Sequence, residues 1–180
     1  MSMRLISYLC LLCTFAVSAA SSVSAREADV ARGEYLVNLL GCGRCHTEGY
    51  LLGNDASGPH LAGSRVGIAY SGGTEEPRPG LVFAPNLTPH DETGLGRWSR
   101  RDIVRALTTG VGTDGHQRLP VMPWPNYGAM DDRDVKAVAD YLLSLPPVRR
   151  EIPATTSTGD AVEHPYVRFG IYVFTPFEDD

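Results

Sequence analysis

The chain has 180 residues, with 16 lysines and arginines against 21 aspartates and glutamates, and a formal net charge of −5. This length fits one domain of ordinary size and argues against a multidomain enzyme. Because the chain is acidic and contains no cluster of lysines or arginines, it lacks the positive surface that nucleic-acid binding requires. We therefore exclude nucleic acid as a partner.

Residues 1–25 have the pattern of a secretory signal peptide. Arg4 supplies the positive charge, residues 5–20 are apolar, and Ala25 ends a small-residue cleavage site. The apolar core is short for a membrane span of about 20 residues, so we expect export to the periplasm with cleavage, with a retained anchor as the alternative. Cys10 and Cys13 would leave with this segment.

Three later segments have the periodicity of amphipathic helices, at residues 27–40, 99–110 and 131–145. Ser99 and Asp102 form a capping pair at the start of the second. The segments between the helices are rich in glycine and proline and follow no sustained period, so we expect loops.

The first and third helices are expected to pack together, with Gly33 permitting a close approach opposite Tyr141. A short strand is expected around Leu81 to Phe83. Three short helices bury little apolar surface against an ordering entropy of about 1–2 kcal/mol per residue. A large apolar cofactor is therefore expected to complete the core.

Cys42 and Cys45, followed directly by His46, form the pattern C-x-x-C-H, which is typical of c-type haem attachment. Cysteines three residues apart on a helical turn face the same way, so both sulfurs can form thioethers with the porphyrin vinyl groups. His46 then provides an axial ligand to the iron. The pattern predicts one covalently attached haem c.

A zinc site and a thiol pair are the alternatives at Cys42 and Cys45. Zinc needs four ligands, and once Cys10 and Cys13 leave with the signal, the sequence offers neither a second cysteine pair nor a closely spaced histidine pair. A thioredoxin-like pair follows a strand, whereas a predicted helix precedes this one. A dithiol or a structural disulfide stays as the lesser alternative to haem.

Met122 is the predicted sixth ligand, because three prolines stiffen the segment of residues 119–125 and allow it to hold a thioether against iron. Met130 precedes the third helix and is interpreted as a core residue. His/Met ligation raises the reduction potential and favours electron transfer over oxygen or peroxide binding. Other candidates for this position are Met130, His60, His90, His116 and His164.

Pro59 follows the haem motif in a Gly-Pro turn. A metal-bound histidine usually donates its second ring N–H to an acceptor such as a carbonyl. The rigid carbonyl of Pro59 is predicted to take this role for His46. Further candidates for lining the pocket or pairing with the haem propionates are Trp98, Trp124, Arg65 and Arg97.

Several segments together resemble a known family, and they are residues 32–36, 58–61, 85–89, 92–99, 121–125 and 141–148. The chain resembles, from about Ala31 to Val148, the mono-haem class I c-type cytochrome domains related to the cytochrome subunits of periplasmic membrane-bound alcohol, aldehyde and sugar-acid dehydrogenases. The resemblance implies that Met122 is the distal ligand and that the Pro59 carbonyl holds His46. Larger members carry three C-x-x-C-H motifs, whereas this chain has one.

The predicted fold is an all-α cytochrome c fold, with three main helices and long loops wrapped around one covalently bound haem. The predicted domains are a signal peptide at residues 1–25, a cytochrome c domain at 26–148, and a linker with an apolar C-terminal tail at 149–180. The apolar part of the tail is too short to span a bilayer.

The predicted function is transfer of single electrons from a periplasmic dehydrogenase to a downstream cytochrome or terminal oxidase, without catalysis. Membrane association is expected only indirectly, through a complex, and the acidic surface suggests docking to a basic patch. The alternatives are a peroxidase-like or thiol-oxidising haem enzyme with a labile distal site, and a haem-carrying docking subunit or sensor of a dehydrogenase complex.

Overall fold

A computed structural model of the chain describes residues 25–70, 80–157 and 163–168. Residues 1–24 of the predicted signal and residues 169–180 of the predicted tail lie outside the described residues. The described helices are α1 (residues 25–39), α2 (Cys42–His46), a 3-10 turn (Tyr50–Leu52), α3 (Arg100–Thr109), α4 (Trp124–Tyr127) and α5 (Asp132–Ser144). The described strands are β1 (Gly67–Tyr70), β2 (Gly80–Phe83), β3 (Thr156–Ser157) and β4 (Tyr166–Arg168).

The three long helices α1, α3 and α5 lie where the apolar periodicity predicts them. The capping box of α3 is present: the Ser99 hydroxyl accepts from the backbone N–H of Asp102, and the Asp102 carboxylate accepts from the backbone N–H of Ser99. The helix ends at Gly110, whose φ of 73° is the left-handed conformation that glycine adopts without strain. Local capping chemistry therefore sets both ends of α3.

Helices α1 and α5 pack at Gly33, as predicted. A Cβ atom built at Gly33 would lie 2.0 Å from the Ala137 carbonyl oxygen and 2.7 Å from Cβ of Tyr141. Beside this contact, Arg32 forms a two-pronged ion pair with Asp134, at 3.0 and 2.8 Å. The buried core built around the crossing contains Leu36, Val37, Leu61, Leu95, Ile103, Val138, Ala139, Tyr141 and Leu142.

The expectation of an all-α chain is not confirmed, because the described residues include a four-stranded sheet with the strand order β3-β2-β1-β4. Strands β1 and β2 are antiparallel, with Gly67 opposite Phe83. The short strand predicted around Leu81 to Phe83 is confirmed as β2. The two outer strands come from the C-terminal part of the chain: β3 pairs antiparallel with β2, and β4 pairs parallel with β1.

Residues 148–152, which we call the strap, follow α5 and fasten the chain back onto the loops after α2 and β2. Arg150 donates to the Glu48 carboxylate at 2.8 Å, and the side chain of Ile152 fills the space beside Gly63. Residues 149–157, the first part of the predicted linker and tail at 149–180, are hydrogen-bonded to the domain and supply one of its strands. Residues 163–168 likewise supply β4.

Across residues 25–70, 80–157 and 163–168, no helix combines the length and apolar character needed to cross a membrane.

Candidate haem-binding site

The C-x-x-C-H motif forms the short helix α2, which starts directly after a sharp turn at Gly41. Gly41 has a φ of 70°, so the chain changes direction between α1 and α2 at a residue that tolerates the left-handed conformation. Cys42 and Cys45 are free thiols one helical turn apart, and Cys42 packs against the core built on α1 and α5. The motif is therefore held at the edge of the helical core.

Burial raises the pKa of the Cys42 thiol to about 11 and also raises that of Cys45. Redox-active cysteine pairs need a lowered thiol pKa, because the thiolate is the nucleophile. The raised pKa values therefore give no support to a thioredoxin-like dithiol. The thiols are also unpaired, so the structure gives no support to the disulfide alternative.

His46 is buried, with 6% of its surface exposed, and its Nδ1 lies 2.9 Å from the carbonyl oxygen of Pro85. A carbonyl only accepts, so Nδ1 carries the proton and Nε2 presents a lone pair. Burial lowers the pKa of His46, although the hydrogen bond to Pro85 acts in the opposite direction. The residue is thus a neutral imidazole with one nitrogen anchored and the other available as an iron ligand.

The prediction that Pro59 holds His46 is wrong: Pro85 does. The exposed Pro59 instead lies in a turn, where its carbonyl accepts from the N–H of Ala62 at 3.2 Å. The β1–β2 pair explains why Pro85 and not Pro59 reaches His46. The pair returns the chain to the haem motif and ends at Phe83, two residues before Pro85.

The Gly-Pro-x-Leu segment contacts the haem motif through the backbone and not through the imidazole. Leu61 N–H donates to the Thr47 hydroxyl at 3.0 Å, and Gly63 N–H donates to the His46 carbonyl at 2.8 Å. Leu61 is fully buried and has a φ of 57°. This segment is hydrogen-bonded to His46 and Thr47 but not to the ring nitrogen of His46.

The segment of Met122 runs directly into α4, and the backbone N–H of Trp124 donates to the Met122 carbonyl at 2.9 Å. The buried Trp124 ring packs against Gly110, where an added Cβ would lie 2.5 Å from the ring. Burial, and then the nearby thiols of Cys42 and Cys45, raise the pKa of Tyr127 in the same helix. Helix α4, and with it the methionine segment, therefore lies beside the haem motif.

Met122 is half-buried, and its ligation of iron stays a prediction. Met130 packs against the hydrophobic core, in agreement with its interpretation as a core residue. The histidine alternatives are either exposed or engaged elsewhere in the described structure. His90 accepts from backbone N–H groups of its own loop, His164 packs edge-on against Phe83, and His60 and His116 are exposed.

Of the four residues predicted to line the haem pocket or pair with its propionates, the two tryptophans pack inside the fold and the two arginines are exposed. Trp98 packs against the core and Trp124 against Gly110. Arg65 is exposed and lies 3.9 Å from the Glu48 carboxylate, and Arg97 is exposed. No propionate-binding role follows for either arginine.

Pro85 is followed by two buried polar side chains, those of Asn86 and Thr88, whose role was not predicted from the sequence. Asn86 and Thr88 are 2% and 1% exposed, and both hydrogen-bond to the backbone of Val148 in the strap. The signal was present in the Asn-x-Thr-Pro pattern, because a buried asparagine or threonine in a loop must find hydrogen-bond partners.

Within the part of the chain that the structure describes, no three His, Cys, Asp or Glu side chains come together as a metal site. The zinc alternative therefore gains no support. The donor set that does exist, two thiols on one helical turn and a neutral histidine next to them, fits haem c.

Arg150 Nε is also buried and has no hydrogen-bond partner among the described residues.

The cytochrome c family model matches residues 30–146. The chain belongs to the cytochrome c family. The family implies the cytochrome c fold and covalently bound haem c with its iron, and the arrangement of Cys42, Cys45 and His46 fits both. The match begins within α1 and ends just after α5, so it includes the entire helical core of this cytochrome.

This cytochrome is also similar to cytochrome subunits of three dehydrogenases. It is 32% identical over 69% of its length to the cytochrome c subunit of alcohol dehydrogenase (quinone) from Gluconobacter oxydans, covering 23% of that protein. It is 31% identical over 72% to the gluconate 2-dehydrogenase cytochrome c subunit of Pantoea cypripedii, covering 26%. It is 32% identical over 73% to the fructose dehydrogenase cytochrome subunit of Gluconobacter japonicus, covering 24%. The chain thus matches about a quarter of each relative.

Proposed function

We propose that this cytochrome is a periplasmic electron carrier that receives single electrons from a dehydrogenase and passes them to a downstream cytochrome or terminal oxidase. The observation that carries the proposal is the anchored neutral histidine: His46 is buried and held by Pro85, directly beside Cys42 and Cys45. The proposed site has one haem c, with Met122 as the sixth ligand, and the chain catalyses no reaction on a substrate.

Haem c, when bound, supplies a one-electron iron couple. Cys42 and Cys45 hold it covalently from one face of α2, so the cofactor keeps its position through repeated oxidation and reduction. His46 would bind iron through Nε2, and its Nδ1–H donates to Pro85, which fixes the ring orientation and increases the basicity of the imidazole. Met122, in its proline-stiffened segment, would supply the sixth ligand and keep small molecules away from the iron.

The partners are inferred from the relatives, whose names place them with alcohol, gluconate and fructose dehydrogenases. A dehydrogenase of this kind is the proposed donor. The secretory pattern at the N-terminus supports the periplasm as the location, and the proposed association with membranes is indirect, through the complex. A haem enzyme with a labile distal site is not favoured, since these relatives are cytochrome subunits.

The ligand assignment is tested by absorption spectroscopy of the purified haem-loaded protein. We expect the weak near-infrared band of methionine-ligated ferric haem in the wild type, its loss in Met122→Ala, and its retention in the matched control Met130→Ala. The reduced wild type should bind carbon monoxide slowly, and Met122→Ala quickly. Rapid carbon monoxide binding to the wild type would refute the carrier and favour the enzyme or sensor.

The donor assignment needs a separate experiment. A purified dehydrogenase of the alcohol, gluconate or fructose class, stripped of its own cytochrome subunit, is mixed with the oxidised protein, and haem reduction is followed by stopped-flow absorbance. We expect reduction only after the substrate of the dehydrogenase is added. No reduction by any of the three classes would contradict the proposed donor while leaving the ligand assignment intact.

A further inference from the structure

Pro85 and Asn86 are consecutive, so the carbonyl that holds His46 belongs to the peptide group that joins them. We propose that Asn86 is a positioning residue for the axial histidine: it clamps this peptide group to the strap, keeps the Pro85 carbonyl aimed at His46, and thereby sets the reduction potential of the haem. The inference rests on the proposed function, because it takes His46 as the iron ligand.

The side chain of Asn86 is saturated with hydrogen bonds at both ends. Its Nδ2 donates to the Val148 carbonyl at 2.7 Å and contacts the Thr93 hydroxyl at 3.3 Å. Its Oδ1 accepts from the backbone N–H of Thr88 at 2.9 Å and from the Thr88 hydroxyl at 2.8 Å. Because the residue is only 2% exposed, water has little access to replace a lost partner.

Thr88 closes the same network from the other side. Its hydroxyl donates to Asn86 Oδ1 and accepts from the backbone N–H of Val148 at 3.0 Å. Two residues of the loop thus bind both the N–H and the carbonyl of one strap residue, 60 and 62 positions away in the chain. The strap also binds Thr93, through the backbone N–H of Arg150 at 3.1 Å. The peptide group after Pro85 is therefore fixed by tertiary contacts and not by regular secondary structure.

The hydrogen bonds of Asn86 and Thr88 to Val148 form the clamp, and the hydrogen bond at His46 Nδ1 connects this clamp to the iron ligand. A strong acceptor makes the imidazole a better electron donor and stabilises ferric iron, so it lowers the reduction potential. If the clamp is removed, the Pro85 carbonyl is free to drift and the bond to His46 weakens. The ferric state then loses stabilisation, and the potential rises.

The test is a spectroelectrochemical titration of haem-loaded Asn86→Ala and Thr88→Val against the wild type. We expect the equilibrium constant for reduction to increase three- to tenfold in each, which is roughly 28–59 mV for a one-electron couple. Thr88→Ser, which keeps the hydroxyl, should retain the wild-type potential. Asn38→Ala, on the exposed face of α1, is the matched control and should also leave the potential unchanged.

A second measurement reads the histidine directly. In the reduced protein, solvent exchange of the His46 Nδ1 proton, followed by NMR, should be several-fold faster in Asn86→Ala than in the wild type. If Asn86→Ala does not load haem, the reduction potential and the exchange of the His46 Nδ1 proton are measured in the Thr88 variants instead. Unchanged potential and exchange in a less stable variant would overturn the inference, because Asn86 would then be merely structural.

The outcomes also separate this inference from the proposed function. If the wild type lacks the spectrum of a His/Met haem, the proposed function fails before any variant is compared. If the wild type has that spectrum and the clamp variants keep its potential, only the positioning role of Asn86 fails.

Discussion

Replacing Gly33 by alanine tests the contact on which the helical core is built. The new Cβ would point into α5, 2.0 Å from the carbonyl oxygen of Ala137, whereas ordinary contact begins at 3.4 Å. A backbone carbonyl cannot rotate away as a side chain can, so α1 and α5 must move apart. The core around Val37 and Val138 would open with them.

Two terms of opposite sign determine the size of the effect. Overpacking a well-packed contact destabilises by about 1–3 kcal/mol, and a clash with backbone belongs at the upper end. Alanine is about 1 kcal/mol better than glycine inside a helix. We therefore expect Gly33→Ala to lower the free energy of unfolding by about 2 kcal/mol, or the melting temperature by roughly 4–8 °C for a chain of this size.

The assay is guanidinium unfolding of the haem-loaded protein, followed by far-ultraviolet circular dichroism. Asn38→Ala is the control, because it places alanine on the exposed face of the same helix and should not destabilise. The packing argument would be refuted if the free energy of unfolding of Gly33→Ala lay within about 0.5 kcal/mol of the wild type, at unchanged denaturant sensitivity. The clash would then cost little more than the roughly 1 kcal/mol that alanine gains over glycine in a helix.

Three further predictions use other contacts of the fold. Gly110→Ala should lower the melting temperature in thermal denaturation, because the new Cβ meets the Trp124 ring and a φ of 73° strains alanine. Hydrogen bonds from the hydroxyl and then the backbone N–H of the α3 cap residue lower the pKa of Asp102. The stability that Asp102→Asn loses relative to the wild type should therefore be constant above about pH 5 and vanish as the pH falls below about 4. Denaturant titrations across this pH range measure the difference. Arg150→Met should lower the free energy of unfolding by about 1.5–3 kcal/mol, because a partly buried carboxylate loses its charged donor. The exposed pair of Arg149 is the control, and Arg149→Met should change stability by less than about 1 kcal/mol.

Each of these has a result that would contradict it. An unchanged melting temperature for Gly110→Ala would show that the Trp124 ring can move aside at no cost. A pH-independent difference between Asp102→Asn and the wild type would mean that the carboxylate does not act through its charge. Equal effects of Arg150→Met and Arg149→Met would mean that burial adds nothing to the first ion pair.

Local chemistry was readable from the sequence. The capping box of Ser99 and Asp102 is complete within four residues, and the C-x-x-C-H motif depends only on the spacing along one helical turn. The packing of Gly33 against Tyr141 was also predicted, since a glycine on the apolar face of one helix allows the close approach of another. The first two features are complete within a short stretch of chain, and the third needs only the apolar faces of two helices.

Longer-range pairing was not readable in the same way. Strands β3 and β4 are two and three residues long, too short for an alternating pattern, and their partners lie more than 70 residues earlier. The choice between Pro59 and Pro85 depended on that sheet, because the β1–β2 pair decides which proline returns to His46. A Gly-Pro turn close to the motif in sequence was the plausible but wrong choice.

The strap has a consequence for the order of assembly. The haem motif lies at residues 42–46, whereas Val148, which fixes the loop that holds His46, comes about a hundred residues later in the chain. Loop closure over such a distance is slow compared with helix formation. During that interval the histidine has no fixed acceptor and the pocket is open. The proposed thioether bonds to Cys42 and Cys45 would keep the cofactor on the unfinished chain, so that attachment would not have to wait for the contacts that later hold His46.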